Sequence, residues 1–90
     1  MKRIHVLIDG KVQGVFYRSS LQQEAKTHGI AGWTRNLPDG KVEALLEGED
    51  QQVAAVLEWI WKGPPRAVVR KVEWTEEAYR GESQDFTIRY

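Results

Sequence analysis

The sequence predicts an α+β sandwich of the split βαβ, or ferredoxin-like, type, in which a mainly antiparallel sheet carries two helices on one face. The main observation is the order of elements: strand, helix, strand, strand, helix, strand, and then a short C-terminal strand. The second is length, because 90 residues suffice for one hydrophobic core but not for two. We therefore expect a single domain over residues 1–90.

The first strand and the first helix are separated by a loop that contains two glycines. Apolar and polar residues alternate over residues 3–9, which indicates a strand with one apolar face. A helix is predicted over residues 21–28, with Ser19 and Ser20 as candidate N-caps. Gly29 follows this helix and suits its C-terminal end.

A hairpin is predicted next. Residues 30–36 and 41–48 read as its two strands, and the second of these alternates between apolar and polar positions. Pro38 and Gly40 lie between them, where proline presets its own φ and glycine accepts a positive φ.

The second helix has a complete amphipathic stripe. Asp50 is its candidate N-cap, and residues 63–65 (Gly-Pro-Pro) end it. Strands follow over residues 68–74 and 86–90. The stripe, which we expect to face the core, consists of Val53, Val56, Leu57, Ile60 and Trp61.

Composition excludes several classes of protein. The 13 Lys and Arg residues balance 13 Asp and Glu residues, which argues against a broad nucleic-acid or anionic-membrane surface. Cysteine is absent, so disulfides and thiolate chemistry are excluded. The sequence has neither a signal-peptide pattern nor an apolar run long enough to span a membrane. We expect a cytoplasmic monomer.

The glycine loop (residues 10–18, Gly-Lys-Val-Gln-Gly-Val-Phe-Tyr-Arg) is the first candidate for chemistry. A glycine turn that opens onto a helix can present successive N–H groups to an anion. Arg18 ends the loop, and its planar guanidinium matches phosphate oxygens. Considered alone, however, such a loop is more often only a strand-to-helix connection, and a lone arginine is usually solvated.

Asn36 is the second candidate, because it stands immediately before the hairpin turn. Spacing alone favours a turn residue. The alternative is that its amide, which both donates and accepts hydrogen bonds, orients a water molecule.

Taken together, these segments resemble the acylphosphatase family. The glycine loop is similar to the family's first signature, and residues 32–36 (Gly-Trp-Thr-Arg-Asn) with the glycines of the hairpin are similar to its second. The Gly-Pro-Pro segment also matches, so the resemblance covers essentially the whole chain. Tyr17 and Thr34 depart from the family, where phenylalanine and a small apolar residue are usual. We expect these departures to alter at most packing or substrate preference.

The resemblance implies an enzyme that hydrolyses acyl phosphates to a carboxylate and inorganic phosphate, with no metal and no cofactor. Arg18 resembles the family's phosphate-binding arginine, and Asn36 resembles the asparagine that positions the attacking water. The substrate would be a small molecule. The implied phosphate cradle is the backbone of residues 13–18, namely Gln13, Gly14, Val15, Phe16, Tyr17 and Arg18.

Two other functions remain open at this point. The same sandwich occurs in RNA-recognition modules, but the strand over residues 41–48 has no aromatic residue and carries acids. A phosphate-sensing domain without turnover is the second alternative. His5 and His28 lie outside both signatures, and we expect no metal site from them.

Overall fold

Five strands and two helices make up the protein, whose computed structural model describes all 90 residues. Neither helix is long and apolar enough to cross a membrane. The elements are, in chain order, β1 (Lys2–Lys11), α1 (Tyr17–Thr27), β2 (Ala31–Asn36), β3 (Val42–Gly48), α2 (Asp50–Lys62), β4 (Val68–Glu77) and β5 (Phe86–Arg89).

The strands form one sheet in the order β4-β1-β3-β2-β5. β3 pairs antiparallel with both β1 and β2, and β4 pairs antiparallel with β1. Only the β2–β5 pair is parallel. β1 and β2 run in the same direction but do not pair with each other, because β3 lies between them. This topology is the split βαβ arrangement, which confirms the predicted fold class.

The core lies between the sheet and the helices. Alternate residues of β1 are fully buried there, as the period-two pattern predicts: Ile4, Val6 and Ile8 are at most 1% exposed. The central strand β3 adds Val42, Ala44 and Leu46. Burial of one valine, leucine or isoleucine side chain contributes about 1.5–3 kcal/mol to the stability of the fold. The core residues of β1 and β3 therefore hold these two strands firmly in place.

Helix α1 begins earlier than the sequence pattern suggests. It starts at Tyr17, and Phe16 caps it in the left-handed region at φ 63°. The expectation that Ser19 or Ser20 caps this helix was therefore wrong. The Ser19 hydroxyl instead donates to the Phe16 carbonyl, at 3.2 Å. Helix formation starts at Tyr17 because this side chain, only 1% exposed, extends the buried face formed by Leu21 and Ala25.

Helix α2 ends at Lys62, directly before the predicted Gly-Pro-Pro segment, but differs from expectation at its start and in the burial of Trp61. Asp50 is its first residue, and Glu49 occupies the N-cap position. Trp61, expected in the core, is 51% exposed. Successive helix residues lie about 100° apart around the axis, so with Ile60 fully buried against the sheet its neighbour turns outward. Trp59 is partly buried and packs against the core.

The carboxyl ends of three strands meet at one end of the sheet. β1 and β2 point the same way because each runs antiparallel to β3, and β5 is parallel to β2. The glycine loop, the hairpin turn (residues 37–41) and Tyr90 therefore all lie at this end. The start of α1 lies there too.

Candidate active site

A cavity of about 270 Å³ lies at this end of the sheet. Arg18 and Asn36, predicted from separate signatures, both line it. The glycine loop, the first turn of α1, the end of β2 and the C-terminal residues contribute its walls. The lining residues are Val12, Gly14, Phe16, Tyr17, Arg18, Ser19, Asn36, Ile88 and Tyr90.

The cradle (residues 13–18) presents backbone donors that the protein itself does not use. None of its N–H groups donates to a backbone carbonyl. Gly14 and Phe16 both have positive φ, at 72° and 63°, and left-handed residues within a turn direct successive N–H groups towards one side. The cradle also leads directly into the positive end of α1. This backbone can therefore hold an anion without any rearrangement of hydrogen bonds.

Buried side chains hold the cradle in place. Val12, Val15 and Tyr17 are 1%, 5% and 1% exposed, whereas Phe16 is 74% exposed. Apolar residues on one side of the loop thus fix its backbone to the core. The other side remains accessible at the cavity.

Arg18 is the second residue of α1 and takes part in none of the protein's ion pairs. Its Nη1 donates to the Arg89 carbonyl at 3.3 Å, and its guanidinium carbon lies 5.1 Å from the centroid of the Tyr90 ring. A cation at a helix N-terminus is unfavourable without a counter-charge. An anion bound between Arg18 and the cradle would relieve this repulsion.

Asn36 is the last residue of β2 and pairs with Val42 on β3. Its Oδ1 atom is buried and has no hydrogen-bond partner in the protein. Buried side-chain oxygens nearly always have a partner, because an unpaired one loses the hydrogen bond it made with water. Because Asn36 also lines the cavity, its side-chain amide can form a hydrogen bond with a water molecule there.

Sequence reasoning missed part of this site. The side chain of Gln13 donates to the carbonyls of Leu37 and Lys41, although we expected Gln13 to act only through its backbone. Ile88 and Tyr90 line the cavity because β5 pairs parallel with β2. The local sequence gives no signal for the Gln13 hydrogen bonds or for the position of β5, since both depend on contacts between segments that are distant in the chain.

The two departures from the family pattern have local structural partners. The Tyr17 hydroxyl donates to the Ile60 carbonyl at 2.6 Å, and the Thr34 hydroxyl donates to the Glu43 carbonyl at 2.9 Å. Both hydroxyls are thus satisfied by the backbone.

The two histidines belong to separate polar pairs. His5 Nε2 lies 2.6 Å from Glu43, and His28 Nδ1 lies 2.7 Å from Gln52. No group of three or more His, Cys, Asp or Glu side chains is arranged so that it could hold a metal ion.

Comparison with known proteins gives a consistent result. The family model "Acylphosphatase" matches residues 4–88. An acylphosphatase of Syntrophus aciditrophicus is 47% identical over 90 residues, which are 100% of this chain and 94% of that protein. An acylphosphatase of Pyrobaculum aerophilum is 53% identical over 89 residues, covering 98% and 94% of the two chains. The crystal structure of acylphosphatase from Bacillus subtilis superposes with a TM-score of 0.96 at 34% identity, with 100% of both chains covered.

Proposed function

The chain belongs to the acylphosphatase family, and on this premise we propose that Arg18, Asn36 and the cradle catalyse its reaction. The enzyme hydrolyses the carboxyl–phosphate bond of acyl phosphates to a carboxylate and inorganic phosphate. The observation that carries the proposal is that Arg18, Asn36 and cradle residues line one cavity.

Phosphate binding is assigned to the cradle N–H groups and Arg18. The phosphoryl group carries negative charge that spreads over its oxygens in the transition state. Fixed N–H dipoles and a guanidinium can stabilise this charge without reorganising during the reaction. The absence of any carboxylate partner leaves the positive charge of Arg18 available for the substrate.

Asn36 is assigned to the attacking water. Its side-chain amide, which lines the cavity, forms a hydrogen bond with this water and orients it towards phosphorus. A new bond then forms between the water oxygen and phosphorus, a proton of the water passes to a phosphoryl oxygen of the substrate, and the bond from phosphorus to the acyl oxygen breaks. The carboxylate leaves with the bonding pair, and because it is a weak base it needs no protonation. Orientation of the water is thus the main requirement of the step.

The proposal includes a small-molecule substrate, a monomeric and cytoplasmic enzyme, and no role for nucleic acid. On the sheet face opposite the helices, Arg35 is paired with Glu43 and Arg3 with Glu47. The ring of Trp33 on the same face is already contacted by guanidinium groups. These contacts leave little free charge or aromatic surface for RNA, which disfavours the RNA-binding alternative.

Hydrolysis of benzoyl phosphate in the presence of EDTA tests the proposal. The wild type should hydrolyse it well above the uncatalysed rate. Arg18→Ala should raise KM and lower kcat by about 10²–10³-fold, because a donor to developing charge is lost. Asn36→Ala should lower kcat by a similar factor while KM changes by less than about 3-fold, because it acts mainly in the transition state.

Arg70→Ala is the matched control, since Arg70 is an exposed arginine on β4 that does not line the cavity and should leave both constants unchanged. The proposed function is contradicted if the wild type does not exceed background. Equal weakening of substrate binding in both site variants would contradict the separate roles of Arg18 and Asn36.

A further inference from the structure

The Gln13 side chain joins the cradle to the hairpin turn. Its Nε2 donates to the Leu37 carbonyl at 2.8 Å and to the Lys41 carbonyl at 2.9 Å. A side-chain amide nitrogen carries two hydrogens, so both are used in these two bonds. Gln13 is partly buried between the segments that it connects.

The two carbonyls belong to the two ends of the hairpin turn. Leu37 directly follows Asn36, and Lys41 directly precedes Val42, the residue that pairs with Asn36 across the hairpin. The Leu37 N–H also donates to the Lys41 carbonyl at 2.8 Å, which closes the turn. A contact with both ends of the turn therefore fixes the backbone on either side of Asn36.

No other hydrogen bond connects residues 12–18 with residues 36–41. The ladder between β1 and β3 ends at Ile8 and Val42, before the turn begins. Gln13 is therefore the only hydrogen-bonded link between the cradle and the segment that carries Asn36.

The cradle has anchors that do not involve Gln13. Val12 and Val15 are buried in the core, and Tyr17 is bonded to Ile60 on α2. If the Gln13 bonds are lost, these anchors keep the cradle in place while the hairpin turn is released. The expected consequence is a change in the position of Asn36 relative to the bound phosphate.

We propose that Gln13 is a positioning residue, which sets the place of Asn36 relative to the phosphate cradle. This inference rests on the proposed function. Water attack is sensitive to orientation, and a displacement of about 1 Å can cost about 10²-fold in rate. The Gln13 side chain thus acts through Asn36 and not on the substrate.

A double-mutant cycle on the full chain tests this inference. Gln13→Met keeps a side chain of similar length but removes both donors. With benzoyl phosphate it should lower kcat by about 10- to 100-fold, while the Ki of inorganic phosphate changes by less than about 3-fold. In the Asn36→Ala background the same substitution should lower kcat by less than about 3-fold, because the residue through which it acts is already absent.

Gln52→Met is the matched control. Gln52 is also a partly buried glutamine with one side-chain hydrogen bond, to His28 at the opposite end of α1. It should leave kcat unchanged. Gln13→Glu, which has the same shape but no N–H, serves as a second variant and should reproduce the loss of kcat. Unfolding midpoints of all variants establish that each is folded at the assay temperature.

Three outcomes overturn the inference: an unchanged kcat in both Gln13 variants, a Ki for phosphate that weakens in parallel with kcat in the uncharged variant Gln13→Met, or a full additional loss when Gln13→Met is placed in the Asn36→Ala background. The wild-type assay separates this inference from the proposed function. A wild type without turnover contradicts the proposed function, whereas normal wild-type turnover with any of these three outcomes contradicts only the role of Gln13.

Discussion

Tyr17 connects the cradle to the second helix. Its ring is buried 5.6 Å from the ring of Trp59, and its hydroxyl donates to the Ile60 carbonyl. The last carbonyls of a helix have no partner within the helix, so this bond satisfies a group that α2 leaves free. Burial raises the pKa of the Tyr17 phenol, which therefore remains a neutral donor. Gly63 leaves space for the ring, because a Cβ there would lie 2.8 Å from Tyr17.

Replacement of Tyr17 by phenylalanine should separate stability from catalysis. Tyr17→Phe keeps the ring but leaves the buried Ile60 carbonyl unpaired, so the free energy of unfolding should fall by about 1–3 kcal/mol. The kcat for benzoyl phosphate should change by less than about 2-fold, because the cradle and Arg18 keep their own contacts. Urea denaturation and steady-state kinetics measure the two effects.

Tyr79→Phe is the control for this substitution, because Tyr79 is 45% exposed and its hydroxyl makes no hydrogen bond within the protein. A large loss of kcat in Tyr17→Phe without a change in the unfolding midpoint would show instead that the hydroxyl takes part in the reaction.

Glu47 joins β3 to β1 and to the segment after β4. Its Oε2 accepts hydrogen bonds from the N–H groups of Arg80 and Gly81, both at 3.1 Å, and lies 3.3 Å from Arg3 Nη1. Burial alone would raise the pKa of this carboxyl. The two N–H donors and Arg3 outweigh that effect, so the pKa of Glu47 lies below its usual value.

This lowered pKa predicts an acid-dependent part of the stability. A carboxyl whose pKa is lower in the folded than in the unfolded state stabilises the protein above the unfolded pKa, near 4.3, and this contribution is lost as pH falls through the folded pKa. Glu47→Gln should therefore destabilise the protein more at pH 7 than at pH 2. Urea denaturation across this pH range measures the difference.

Glu58→Gln is the control, because Glu58 lies exposed on α2. Part of the acid dependence should persist in Glu47→Gln. Although burial opposes the shift, contacts with His5 and Arg35 also lower the pKa of Glu43. A curve for Glu47→Gln that runs parallel to the wild type at every pH would contradict the account.

Local patterns predicted the elements better than their ends. An element that is buried on one face has apolar residues at regular intervals in the sequence. The alternation in β1 and the stripe of α2 therefore identified core residues correctly, among them Ile4, Val6, Val53 and Val56. The start of α1 was missed, since a left-handed residue at Phe16 is set by the burial of the neighbouring Tyr17. Tertiary packing there outweighed the capping preference of serine.

The directions of the strands bring the parts of the site together. The carboxyl ends of β1, β2 and β5 lie together, which brings the cradle, Asn36 and Tyr90 around one cavity. The two signatures pointed to Arg18 and Asn36, and the fold class explained why they could meet. The parallel pairing of β5 with β2 could not be foreseen, because the sequence of a four-residue strand does not indicate which strand it pairs with.

In the proposed mechanism, a water positioned by Asn36 attacks phosphorus while the cradle and Arg18 hold the phosphoryl group. A single turnover of benzoyl phosphate in water enriched in ¹⁸O tests it most directly, with the label in both products read by mass spectrometry after correction for uncatalysed hydrolysis. Attack at phosphorus places ¹⁸O in the inorganic phosphate and none in the benzoate. Label in the benzoate would place the attack at the acyl carbon and contradict this mechanism.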